Sequence, residues 1–180
     1  MEFISPTKGR LTFDQVFADV MAFAEANPDD SYRLIVGTDS QIRDGTCFVT
    51  ALIVHRKGKG ARFYYTRSYE DHARSLRQRI FYEASLSLSL ASRLAEKLAE
   101  TGHEIDMEIH LDVGTNVPPS LWSKKLWAWL TARAFSAGSN RSLTGRLPWQ
   151  IAIQNRCLPL DTRAAPWYNI SLFDNRLSLW

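Results

Sequence analysis

The chain has 180 residues, 45% hydrophobic and 23% charged, the length and balance of one globular domain able to bury a core. No apolar run nears the roughly 18–20 residues that span a bilayer. The start, M-E-F-I-S-P-T-K-G-R, has no basic region followed by an apolar one, so neither a membrane helix nor a secretory leader is expected.

The formal charge of +3 is unevenly spread. Residues 1–116 carry 14 Lys/Arg against 17 Asp/Glu, a net of −3, and residues 117–180 carry 8 against 2, a net of +6. All six tryptophans lie in the second part. The basic balance that invites a nucleic-acid reading therefore belongs to the tail alone. Cys47 and Cys157 stand in no metal or redox spacing, which points to a reducing, cytoplasmic setting.

Thr12 and Gln15 have the spacing of a capping box. Phe13, Val16, Phe17, Val20, Met21 and Ala24 follow at helical spacing, and Asn27-Pro28 ends the segment. The run Leu34-Ile35-Val36 then leads through Gly37 and Thr38 into Asp39, the pattern of a buried strand delivering an acid to its exposed end. Asp39 has two readings at this point, a metal-holding carboxylate or a turn residue bonding its local backbone. Cys47 to His55 and Ala61 to Ser68 read as two more strands, separated by turn signals at Asp44-Gly45 and Lys57-Gly58-Lys59-Gly60, so an antiparallel meander is predicted. Lys57, Lys59 and Arg62 make a basic hairpin tip, either a solvated turn or a phosphate contact.

Ser75 and Gln78 repeat the capping-box spacing, and a long helix is predicted over 75–101, stopped by Gly102. Leu76, Ile80, Ala84, Leu88, Ala91, Leu94 and Leu98 trace its apolar face, with Glu83 beside the stripe, either solvated or at the seam with the sheet. Ile105 to Val113 alternates: Met107, Ile109, Leu111 and Val113 form one face, and Asp106, Glu108, His110 and Asp112 the other. Asp112 is a second acid at a strand end before a glycine. His110 shares its face, as a structural histidine or an assisting one.

A fourth strand beside the first brings Asp39 and Asp112 together, and the helix across the sheet could add Glu83. Convergent carboxylates repel, and a hard divalent cation such as Mg²⁺ or Mn²⁺ relieves the repulsion. Two such ions form the clamp used for in-line phosphodiester cleavage. The motifs L-I-V-G-T-D-S, V-T-A-L-I-V-H-R-x-G-K-G-A-R, S-L-R-Q-R-I-x-Y-E and I-H-L-D-V-G-T-N resemble the ribonuclease H-like YkuK family, a bacterial group of predicted nucleases, over about residues 3–116. The resemblance implies an α/β fold built on a ribonuclease H-like mixed sheet: a three-strand antiparallel meander, a long helix and a fourth strand. It implies Asp39, Glu83 and Asp112 as catalytic metal ligands and RNA, DNA or a hybrid as partner. A non-catalytic nucleic-acid-binding or scaffold protein on the same fold is the other class.

After Asn116 the resemblance stops. The junction of Trp127 and Ala128 forces glycine in the neighbouring reading frame, and Gln150 forces alanine. That frame permits K-E-V-V-G-M-V and A-D-R-Y-T-K, strings the family pattern would supply, and then a stop at Asn155-Arg156. A single-base deletion near the Asn116 codon is the reading that follows, with residues 117–180 a frameshifted tail lacking a tightly packed fold; an inactive frameshifted product is then a third reading of the function, beside the nuclease and the scaffold. A divergent Trp-rich domain is the alternative.

Overall fold

The computed structural model describes residues 1–42, 45–71, 75–112 and 149–154. In chain order these form β1 (Glu2–Ser5), β2 (Gly9–Thr12), α1 (Phe13–Glu25), β3 (Tyr32–Ile42), β4 (Thr46–Arg56), β5 (Gly60–Glu70), α2 (Leu76–Thr101), β6 (Asp106–Asp112) and β7 (Trp149–Gln154). Both helices start as their capping chemistry requires. Thr12 and Ser75 each accept from the backbone N–H three residues on, and Gln15 and Gln78 bond back to the cap. At its far end α2 closes on Gly102, whose φ of 73° lies in the left-handed region open to glycine.

One seven-stranded mixed sheet results, in the order β2-β1-β5-β4-β3-β6-β7. β3, β4 and β5 form the predicted meander, in continuous antiparallel register from Tyr32↔Arg56 to Ile42↔Thr46 and from Thr46↔Glu70 to Arg56↔Gly60. The crossover through α2 returns the chain parallel to β3, so β6 pairs there from Arg33↔Asp106 to Gly37↔His110.

Both helices pack on one face of the sheet. Phe13, Val16 and Val20 of α1, Ala91 and Leu94 of α2, Leu34 and Val36 of β3, and Met107 and Ile109 of β6 belong to a single buried cluster. Asp19 pins α1 to the sheet, accepting from Lys8 Nζ and Tyr64 Oη, both at 2.6 Å, and from Arg62 at 3.0 Å. Burial alone would push the Asp19 carboxyl up. Hydrogen bonds from Lys8 and Tyr64 and the charges of Lys8 and Arg62 outweigh that and hold it below the ordinary carboxylate range.

Three features depart from the sequence reading. β3 does not end before Asp39 but runs on to Ile42, with Asp39 opposite Val49, because β4 offers partners along its whole length. Leu76, expected on the apolar stripe, is 48% exposed. The β1–β2 hairpin adds two strands that the short, mixed stretch before Phe13 did not announce.

In the tail, Trp149–Gln154 pairs parallel to β6, from Met107↔Trp149 to Asp112↔Gln154. The rest of 117–180, including the helix-like periodicity of 121–135, lies outside the described residues. Among the described residues no helix is long and apolar enough to cross a membrane.

Candidate functional site

On β3 the even positions Leu34, Val36, Thr38 and Ser40 face the helices, and Asp39 between the last two is exposed. Thr38 and Ser40 sit two residues apart on a strand, about 6.8 Å. Glu83 and Ser87 sit four apart on α2, about 6 Å. The two spacings match, and the pairs meet across the seam. Thr38 Oγ1 lies 2.8 Å from Ser87 Oγ and 3.0 Å from Thr50 Oγ1, and Ser40 Oγ donates to Glu83 Oε1. Arg79, one turn before Glu83, donates to Ser40 Oγ at 3.2 Å. Its Nε is buried without a partner among the described residues. Glu83 is only 8% exposed and Ser87 is fully buried, so this polar lane displaces apolar packing along the first half of α2.

Tyr82 fixes the same half of the helix over the end of β5. Its hydroxyl donates to Glu70 Oε1 at 2.7 Å, and its ring lies 4.6 Å from that of Phe48. The hydrogen bond to Glu70, with burial behind it, raises the Tyr82 phenol above its ordinary value.

The opposite face carries Asp39. Extending the β3–β6 register two residues past Gly37↔His110 sets Asp39 level with Asp112 on neighbouring parallel strands. Position 112 has the parity of Glu108 and His110, not that of the buried Met107, Ile109 and Leu111. Glu108 receives Arg33 Nη1 at 2.8 Å, and His110 Nε2 lies 3.1 Å from its other oxygen. Gly37 keeps the row beside His110 low: a Cβ there would come within 3.4 Å of the His110 carbonyl oxygen. Asp39 Oδ1 accepts from the backbone N–H of Ser40 at 2.8 Å, which orients its carboxylate.

The three acids singled out in the sequence are therefore not gathered on one face. Asp39 and position 112 share the open face, while Glu83 engages Ser40 on the helix face. Among the described residues no group of three or more His, Cys, Asp or Glu could hold a metal ion. The side chain of Asp112 lies outside the described residues. Sequence reading missed Ser40, Ser87 and Arg79, although the T-D-S run and the Glu83/Ser87 spacing together carried the signal of a polar seam.

A family model described as Ribonuclease H-like matches residues 15–138. The chain belongs to the ribonuclease H-like family. The match runs past Asn116, where the recognised motifs end. This ribonuclease H-like chain is also 39% identical over 92 residues to a protein of Bacillus subtilis (strain 168) called "Uncharacterized protein YkuK", an alignment covering 50% of the chain and 54% of the relative. The chain thus spans about half the length of that relative. No solved structure gives a significant match. The mixed sheet with its long helix is a nuclease-like fold.

Proposed function

We propose that the protein is a cytoplasmic, metal-dependent nuclease of ribonuclease H-like fold that cleaves phosphodiester bonds at the Asp39/Asp112 edge of β3 and β6. One observation carries the reading: an exposed Asp39 lies two residues past the last pair, Gly37↔His110, and Asp112 lies two residues past it on the adjacent parallel strand, so continuing the register would set the two level. Two carboxylate positions so close suit a hard divalent cation, Mg²⁺ or Mn²⁺, with oxygen ligands. When bound, such ions activate water and neutralise charge on a phosphodiester.

The chain's own residues supply position and orientation. The Ser40 backbone N–H aims the Asp39 carboxylate, and the β3–β6 ladder, which ends at Gly37↔His110, brings the two strands up to within two residues of both aspartate positions. Glu83, bound to Ser40 across the seam, is assigned a positioning part: it and Arg79 fix the Ser40 side chain on one face, which commits its neighbour Asp39 to the other.

A second reading, a non-catalytic nucleic-acid-binding or scaffold protein, is favoured by the separation of Glu83 from Asp39. Labelled single-stranded, duplex and RNA–DNA hybrid oligonucleotides, incubated with the full chain and Mn²⁺ or Mg²⁺, distinguish the two. Cleavage lost in Asp39→Asn supports the nuclease. Binding without cleavage of any substrate supports the scaffold.

A further inference from the structure

The open face beside Asp39 carries an arrangement that the metal-nuclease reading does not use. On β5 the odd positions Phe63, Tyr65, Arg67 and Tyr69 share the face opposite the helices, since Tyr64 and Thr66 between them are buried. Arg67 is exposed and Tyr69 is 71% exposed, the most exposed aromatic among the described large hydrophobics. The Arg67 guanidinium lies 5.4 Å from the Tyr65 ring centroid.

The registers tie this row to Asp39. Asp39 pairs with Val49 and Val49 with Arg67, so the three form one line across β3, β4 and β5. Gly37, Ala51 and Tyr65 form the next line on one side, and Gln41, Cys47 and Tyr69 the next on the other. Two strand spacings, about 10 Å, separate Asp39 from Arg67. Val49, Ala51 and Gly37 between them are short or have no side chain, so by residue size the strip is a trough beside the taller β5 row.

We propose that this trough is a track for a single nucleic-acid strand, with Tyr65 and Tyr69 stacking bases, Arg67 meeting a phosphate, and the strand's next phosphodiester lying at Asp39. The inference rests on the nuclease reading of Asp39 and names its substrate class. The argument is chemical. A cation between two aromatic rings on one strand face matches the alternation of phosphate and base along a polynucleotide. Stacking needs the base faces free, and a duplex hides them. Among the described residues no helix or ribbon protrudes from this row to enter a groove. DNA and RNA single strands share this chemistry, so both are tested.

The experiment is fluorescence anisotropy of labelled oligo(dT) and oligo(U) with the full chain in EDTA, where cleavage is silent. Wild type is expected to bind both single strands at least about tenfold more tightly than a blunt duplex. Replacing each ring, Tyr65→Ala or Tyr69→Ala, weakens binding by about tenfold, and Tyr→Phe at either position keeps it, because stacking needs the ring and not the hydroxyl. Arg67→Ala makes the slope of log K against log salt less negative by about 0.7, the value for one single-strand phosphate. Unchanged circular dichroism of Tyr69→Ala separates these effects from unfolding.

Equal or tighter duplex binding, no single-strand binding, or an alanine double variant that binds as wild type overturns the track. Cleavage that persists in the ring variants also overturns it while leaving the nuclease standing. Ring-dependent binding to strands that Mn²⁺ leaves intact supports the track and sinks the cleavage.

Discussion

Replacing Ser40 by Ala tests the polar seam on which the placement of Asp39 depends. Ser40 and Glu83 are 9% and 8% exposed, so their hydrogen bond is shielded from water. A bond to a charged group contributes about 1.5–3 kcal/mol, more than the neutral Thr38–Ser87 pair at about 1. Ser40→Ala also removes the acceptor of Arg79 Nη1, a partly exposed contact of smaller worth. The expected loss is about 2 kcal/mol, equivalent to about 4–8 °C in Tm for a chain of this size. The assay is urea denaturation of wild type, Ser40→Ala, Glu83→Ala and the double variant. The cycle should return a coupling of at least about 1 kcal/mol between Ser40 and Glu83. Leu76→Ala, at a 48% exposed position of the same helix, serves as the control and should cost less than about 0.5 kcal/mol. A Ser40→Ala loss no larger than that control, with no coupling to Glu83, would refute the seam and free Glu83 to lie elsewhere.

Other outcomes follow from the same structure. Leu94, fully buried between α2 and the sheet, should cost about 3 kcal/mol as Leu94→Ala, read from the same denaturation curves. Asp19 has a lowered folded-state pKa, so the stability from its contacts is complete above about pH 4, the unfolded value, and is lost as pH falls through the folded one. The difference in stability between wild type and Asp19→Asn should therefore shrink on acidification below that point and stay flat above it; a constant difference would contradict the assignment. Amides of residues 149–154 should show exchange protection through pairing with β6, and Ile151→Pro, opposite Ile109, should remove it. The deletion reading of the tail predicts that resequencing across the Asn116 codon finds one more base; an uninterrupted frame contradicts it.

Local chemistry made much of the fold readable. Two capping boxes, the Gly102 stop and strict alternation in β6 each act within a few residues, and each appears where its residues require. The parallel return of β6 to β3 depends on the α2 crossover and came through the family resemblance. The candidate site was legible as residue types but not as faces. In the sequence Asp39 reads as a strand-end acid, yet it sits inside an eleven-residue strand whose length is set by pairing with β4. Once that strand continues, period-two geometry sends Thr38 and Ser40 to α2 and Asp39 away from it. Glu83 could be placed beside an apolar stripe, but its partner Ser40 is 43 residues away, and only the packed seam brings the two together. The charge count likewise hid the β5 row: Arg67, Tyr65 and Tyr69 disappear into a net of −3 and form one face only when the strand is pleated.

The central claim, that Asp39 and Asp112 hold a divalent cation, is tested most directly by thermal unfolding of the full chain across a Mn²⁺ titration. Binding to the native state alone stabilises by about 2.7 kcal/mol at a hundredfold excess over Kd, a rise in Tm of several degrees. The account predicts that rise in wild type, its absence in an Asp39→Asn, Asp112→Asn double variant, and its survival within a few-fold of Kd in Glu83→Gln. A Tm that Mn²⁺ leaves unmoved in wild type, or a rise that outlasts loss of both aspartates, would contradict it.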